Sequence, residues 1–179
     1  MSKLLLHSCC APCSTTAIER LKGSYDLTIY YFNPNIEPYD EYIKRKNEQI
    51  KLLKLLSEDI KFIDGDYPND DYHDYIEEFA HLGENTLKCY KCMEYRLNQT
   101  ARIAKEQGFD VFATTLSVSP YKNSAWIKEI GNNAALKHAI DYLDENFKEH
   151  NGYQKSRELS RVFDLYRQNY CGCLKSKNR

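Results

Sequence analysis

The sequence has no apolar run approaching the ~20 residues that cross a bilayer as a helix. Its first residues also lack the basic region, long apolar stretch and small-residue cleavage site of a secretory leader. A cytoplasmic location, with no membrane partner, is the expectation. Glycine is scarce, with 7 residues in 179, and is never clustered. Neither a Walker loop nor a G-x-G-x-x-G is present, so no motif cradles a nucleotide phosphate. Charge of one sign is not in excess, since 25 Lys and Arg face 26 Asp and Glu for a net −1. A globally basic nucleic-acid surface is therefore excluded, and an RNA partner must be gripped by a local patch. Internal repeats, low-complexity tracts and a convincing linker are also missing. Residues 1–179 read as one domain, long enough to bury a sizeable core.

What is present is cysteine, and none of it is scattered. All seven fall in three clusters: Cys9, Cys10 and Cys13; Cys89 and Cys92; Cys171 and Cys173. In a reducing compartment clustered thiols are metal ligands or redox centres more often than disulfides, and an odd count argues the same way. The working expectation is that the three clusters meet around metal. Redox-active thiols without metal remain the alternative.

Hydrophobic periodicity alternates between strand and helix. Residues 3–8, 27–32, 60–63 and 111–114 read as strands, and Ala139–Leu143 as a short fifth. Helices are expected from Ser14, Thr15 or Thr16 to Lys22, from Glu37 to Leu56, from Asp70 to Ala80 and from Thr86 to Gln107. Two more are expected around Trp126–Ala134 and along the stripe Leu159, Val162, Phe163 and Tyr166. On the second helix Tyr39, Tyr42, Ile43, Ile50, Leu53 and Leu56 form the apolar face. Lys44, Arg45, Lys46, Lys51 and Lys54 form a solvated basic one. Asp144–Gln154 reads as irregular. The alternation implies an α/β fold with a mostly parallel sheet of four or five strands, covered on both faces. Ligands in such sheets sit at the carboxyl ends of the strands. The unusual residues all follow strands: Cys9-Cys10, Asn33-Pro34-Asn35, Asp64-Gly65-Asp66 and Thr114–Pro120.

The C-x-x-C pair Cys89–Cys92 lies on one helix face, and Arg96 continues that face. A cation there would lower thiolate pKa values or offset the charge of a thiolate-bound cluster. Zinc and a dithiol redox pair stay open for this motif. Adjacent side chains in an extended loop diverge, so Cys9 and Cys10 are expected to divide between two centres, or between ligation and chemistry. Seven thiols exceed the four that one zinc or one cluster needs. Asp64 and Asp66 are candidate proton donors, with an Asp-Gly turn as the plain alternative. His7 reads as a satisfied histidine at the core boundary. Tyr121, Lys122, Arg167 and Gln168 are candidate substrate contacts. Tyr39, Tyr67, Tyr121 and Tyr170 could stack on bases, and Lys175, Lys177 and Arg179 could meet phosphates.

Taken together, Leu4-Leu5-Leu6-His7-Ser8-Cys9-Cys10-Ala11-Pro12-Cys13 and Tyr31-Phe32-Asn33-Pro34-Asn35-Ile36-Glu37-Pro38 resemble the opening of the QueH-type epoxyqueuosine reductases. The resemblance continues through Gly65-Asp66-Tyr67, Cys89–Cys92 with Arg96-Leu97, and Thr114-Thr115-Leu116 with Ser119-Pro120-Tyr121-Lys122. It closes on Leu165–Cys173 and is weakest over Leu143–Gln154. It implies reduction of an epoxide on a modified wobble base of tRNA to an alkene, the last step of queuosine synthesis. An external electron donor, a four-iron iron–sulfur cluster and a second iron are implied with it. The implied fold is a Rossmann-like three-layer sandwich of the adenine-nucleotide-hydrolase type.

On this reading Cys9, Cys10, Cys89, Cys92, Cys171 and Cys173 hold the cofactor, with Cys13 near or on the metal. Cys10, Cys13, Asp66 and Tyr121 are the catalytic candidates. Asn33, Asn35, Arg96, Ser119, Tyr121, Lys122 and Arg167 are the substrate contacts. Two other readings remain open: a sulfur-transfer enzyme acting on tRNA from a related fold, and a zinc-stabilised RNA-binding module.

Overall fold

The computed structural model describes residues 1–56 and 59–177, so Arg179 lies outside the described residues. Five strands form one wholly parallel sheet: β1 (Ser2–Ser8), β2 (Tyr25–Tyr31), β3 (Lys61–Asp64), β4 (Val111–Thr114) and β5 (Asp141–Tyr142). Their order is β3-β2-β1-β4-β5. The helices are α1 (Ala11–Leu21), α2 (Tyr39–Leu56), α3 (Asn69–Ile76), α4 (Leu87–Glu106), α5 (Ser124–His138), α6 (Gly152–Val162) and the short α7 (Leu174–Lys177). The order reverses direction at β1, whose neighbours are β2 and β4, and in open α/β sheets ligand crevices lie outside such a point.

Alternate residues of the central strand feed two cores. Leu4 and Leu6 pack with Ala17, Ile18 and Leu21 of α1, with Leu52 of α2 and with Phe147. Leu5, on the opposite face, packs with Phe112, Ala101, Ala104 and Ala134. The strand is buried on both faces, which is why it reads as an unbroken leucine run. At its end His7 spans three strands. Its Nδ1 lies 3.0 Å from Thr114 Oγ1 and its Nε2 donates to the Phe32 carbonyl at 3.0 Å. Burial, aided by Arg96, lowers its pKa to about 4, so it is the neutral, satisfied histidine expected at a core boundary.

Three helices differ from the sequence reading in ways that bear on the site. Helix α1 begins at Ala11, within the cysteine loop, because Pro12 supplies a fixed φ where no amide hydrogen is needed. Cys13 is thus helical. Ser14 and Thr15 do not cap: their hydroxyls donate back to the carbonyls of Cys10 (3.0 Å) and Pro12 (2.8 Å). In α2 the buried face is Tyr42, Arg45, Gln49 and Leu52, while Tyr39 is 55% exposed. Arg45 leaves the basic face assigned to it because polar groups await it inside. Gln49 Oε1 likewise accepts from Ser8 Oγ (2.6 Å) and Ser14 Oγ (2.8 Å), bracing the loop on both sides of the cysteines.

The last long helix is shifted towards the N-terminus of its expected position. α6 starts inside the stretch read as irregular and stops at Val162, which is 74% exposed. Its buried face is Gly152, Ser156 and Ser160, small residues that let it approach α1 closely. An apolar-periodicity argument cannot see such a face. The left-handed Asp164 (φ 49°) prevents continuation through Phe163 and Tyr166. Between β5 and α6, Phe147 is wholly buried in the core, and Ser117 Oγ donates to the Glu145 carbonyl at 2.9 Å.

Candidate metal and substrate site

The crevice at the carboxyl ends of β1 and β4 contains the first cysteine cluster. Cys9 follows β1 directly, and Thr115 follows β4. The Cys9 amide donates to Thr115 Oγ1 at 3.1 Å, and that hydroxyl donates to Cys9 Sγ at 3.3 Å. Cys10 is the residue before α1, where the chain turns from strand to helix, and Cys13 stands one helical turn later. The turn brings the sulfurs of Cys9, Cys10 and Cys13 within 4.8 Å of one another. Cys9 and Cys10 sulfurs are 3.8 Å apart, so the expected divergence of adjacent side chains is overturned. An ion with tetrahedral metal–sulfur bonds of ~2.3 Å has its sulfurs ~3.8 Å apart. The triad therefore has the spacing of a single-ion site. Hydrogen bonds from Cys10 and Cys13 hold the Cys9 thiol well below its usual range against the opposing effect of burial.

The other four thiols surround a second space. Cys89 and Cys92, in the first two turns of α4, face Cys171 and Cys173 across a cavity of about 60 Å³. All seven cysteines are free thiols. Among the described residues no three of these four lie within 4.8 Å of one another, so they do not close on one ion. Two lysines serve this group. Lys122 Nζ lies 3.1 Å from Cys171 Sγ, and Lys88 Nζ lies 3.4 Å from Cys173 Sγ. Cys171 is exposed, and Lys122 and Arg96 together carry its thiol below its ordinary value. Burial pushes Cys89 up. Nothing in the sequence singles out Lys88 or Gln49, and Thr115 and Arg45 stand out there only as part of a loop after a strand and of a basic helix face. Each looks like an ordinary helix or loop residue until its distant partner is placed.

A larger cavity, of about 320 Å³, adjoins the small one. Asn35, Arg96, Tyr121, Lys122 and Cys171 line both, and Cys9, Cys13, Asn33, Ser119 and Arg167 line the larger one. The seven residues that the family resemblance names as substrate contacts thus meet in one place. Asn33 is wholly buried; its Nδ2 donates to the Ser8 carbonyl (2.8 Å) and its Oδ1 accepts from Arg96 Nη1 (3.4 Å). Arg96 is only 2% exposed, and its Nη2 has no hydrogen-bond partner among the described residues. Its charge is sustained despite burial by the thiols of Cys92, Cys171 and Cys9. Asn35 Oδ1 and Gln168 Oε1 are also buried without partners on the wall of the larger cavity. Such orphans cost about 1–3 kcal/mol each when nothing meets them, and all three belong to residues on the wall of the larger cavity.

Some expected residues lie elsewhere. Asp64 and Asp66 are exposed and line neither cavity, and Asp64 pairs with Lys46 Nζ at 3.0 Å. Their segment instead packs its backbone against β2, with the Gly65 amide donating to the Tyr31 carbonyl at 2.9 Å. Tyr39, Tyr42 and Tyr67 pack against one another. Tyr170 is occupied by Arg45, whose guanidinium lies 4.8 Å from the ring centroid. Of the four tyrosines singled out for stacking, Tyr121, 67% exposed, and Tyr170 line the larger cavity.

Comparison with known proteins bears on the fold and the family. A solved structure described as a predicted subunit of tRNA methyltransferase from Methanocaldococcus jannaschii superposes with a TM-score of 0.51. It shares 17% identity over 89% of this chain and 76% of its own, a likeness of fold alone. Epoxyqueuosine reductase QueH of Streptococcus pyogenes is 38% identical, covering 96% of this chain and 69% of the relative. The Acinetobacter baylyi protein of that name is 39% identical over 97% of this chain and 80% of its own. The Thermotoga maritima one is 34% identical over 97% and 90%. The family model described as epoxyqueuosine reductase QueH matches residues 4–179, and so takes in all seven cysteines. By its sheet, its thiols and these likenesses the chain belongs to the QueH family of epoxyqueuosine reductases.

Proposed function

We propose that the protein is an oxidoreductase that reduces the epoxide of epoxyqueuosine in tRNA to the alkene of queuosine. The balance is one epoxide, two electrons and two protons giving one alkene and one water. The observation that carries this reading is the wall shared by the two cavities. A space sized for a nucleoside fragment abuts a space ringed by four thiols, with Arg96, Asn35, Lys122 and Cys171 between them. Cys89, Cys92, Cys171 and Cys173 would hold a four-iron iron–sulfur cluster, whose thiolates stand farther apart than those of one ion. Cys9, Cys10 and Cys13 would hold a second iron. These groups supply single electrons from an external donor and a Lewis-acidic site for the epoxide oxygen.

The chain's own residues bind and orient. Arg96, Asn35 and Gln168, on the wall of the larger cavity, take the polar groups of the modified base, and the exposed Tyr121 stacks on it. Lys122 carries an ammonium proton at the cavity wall; burial would push it off, and the negative charge of Cys171 keeps it on. Lys122 and Tyr121 are the groups placed to supply protons. The test is anaerobic reconstitution with iron and sulfide, then incubation with epoxyqueuosine-containing tRNA and a strong reductant, read by nucleoside mass spectrometry. Queuosine formed together with a cluster spectrum supports the reading. A colourless protein holding only zinc, with no conversion, refutes it and points to an RNA-binding module.

A further inference from the structure

Cys171 and Cys173 reach the site on a stretch, residues 163–173, that belongs to no helix or strand. Such a segment needs an anchor if two ligands at its end are to have fixed positions. The anchor is a cation inside the protein. Arg45, 2% exposed, donates from Nη1 to the Cys171 carbonyl (2.9 Å) and from Nη2 to the Tyr170 carbonyl (3.2 Å). Its Nε is held by Glu41 Oε1 at 2.7 Å, which fixes the plane of the fork. Two consecutive carbonyls received by one guanidinium are a bidentate arrangement that an ammonium point charge cannot reproduce.

The remaining contacts lie along the same path. The Tyr166 amide donates to Glu48 Oε2 (2.9 Å), the Tyr170 hydroxyl donates to the Glu37 carbonyl, and the Glu37 amide donates to the Gly172 carbonyl (2.9 Å). Gly172 has φ +148°, and a Cβ there would come within 3.0 Å of Asn35 and Ile36. The chain between the two cysteines is thereby pressed against the Asn33–Pro38 loop. The same segment provides Arg167, Gln168 and Tyr170 to the wall of the larger cavity.

We propose that Arg45 is a positioning residue: it latches residues 163–173 to α2, setting Cys171 and Cys173 opposite Cys89 and Cys92 and closing the substrate cavity. It touches no thiol and acts through two backbone carbonyls. The assignment of these cysteines as metal ligands rests on the function proposed above, whereas the latch itself does not. Limited trypsin digestion of the metal-free protein reads the latch directly, because Arg167 lies exposed within the segment. Arg45→Met is expected to speed cleavage after Arg167 about tenfold, the effect of losing a charge-assisted hydrogen bond, without speeding cleavage elsewhere. Arg45→Lys should fall between it and the wild type. After reconstitution, Arg45→Met should lose iron to a chelator about 10–100-fold faster, as when a group supporting a ligand is removed.

Wild-type cleavage at Arg167 in Arg45→Met overturns the proposal. If that variant is cut faster everywhere, Arg45→Lys and Tyr170→Phe decide. A selective rise at Arg167 supports the latch, and none refutes it. A wild-type protein that binds no iron would end the functional reading and leave the digestion result standing.

Discussion

Gly152→Ala tests whether the close approach of α6 to the body of the protein is as tight as the structure requires. Gly152 opens α6, and a Cβ built on it would lie 1.7 Å from the Phe147 carbonyl oxygen and 2.8 Å from Arg20 Nη2. Arginine's end can swing away. The carbonyl cannot, because it is backbone and the Phe147 side chain is wholly buried. Overpacking of this kind costs about 3 kcal/mol. Alanine's better helix propensity returns up to about 1 kcal/mol. The net loss is about 2 kcal/mol, which for a chain of this length lowers the melting temperature by about 4–8 °C.

Thermal unfolding of the metal-free protein followed by far-ultraviolet circular dichroism measures the shift. Gly23→Ala is the control, since no atom of the described residues lies within 4 Å of a Cβ there. Propensity and clash predict opposite signs for Gly152→Ala. A melting temperature at or above wild type would show that α6 does not need its glycine and would refute the packing argument.

The two thiol groups should separate by metal content. Cys92→Ser is expected to abolish cluster absorbance and most bound iron, while Cys13→Ser keeps the cluster spectrum and loses about one iron per chain. Equal losses in both variants would mean one shared centre. Arg96→Met, which removes a buried cation set among Cys9, Cys92 and Cys171, should lower conversion of the tRNA by about 10–100-fold; unchanged turnover at saturating tRNA would remove Arg96 from the site. Burial, with Lys137 and Arg102 nearby, lowers the pKa of His138. The unfolded chain then takes up the proton first, so this residue's stabilisation is whole above the unfolded value of about 6.5 and is lost as pH falls below it. Denaturant titrations from pH 7 to pH 5 should show a shallower fall for His138→Gln than for wild type; identical slopes would count against this role.

Sheet and helices were legible where the signal was local. The leucine run of β1, the β-branched β2 and the ladder Met93, Leu97, Ala101 and Ala104 announce themselves by composition and period. α6 was displaced because its buried face is glycine and serine, which no hydrophobic pattern marks. The inward turn of α2 was hidden for the related reason that Arg45 and Gln49 are buried by partners, not by apolarity. Asp64 and Asp66 follow a strand, as the crevice residues do, yet β3 is an edge strand and its end falls outside the cavities.

The chemistry at hand is written into the chain: seven thiols in three clusters, a strand before the first, a helix beneath the second and a glycine between the last two. The cysteine side chains and the loop residues beside them are fixed by covalent order alone. How they group is a matter of the fold. Turning from β1 into α1 gathers Cys9, Cys10 and Cys13, and the docking of residues 163–173 on α2 brings Cys171 and Cys173 to α4. Those meetings depend on contacts between segments far apart in the chain, and a local pattern carries no information about them.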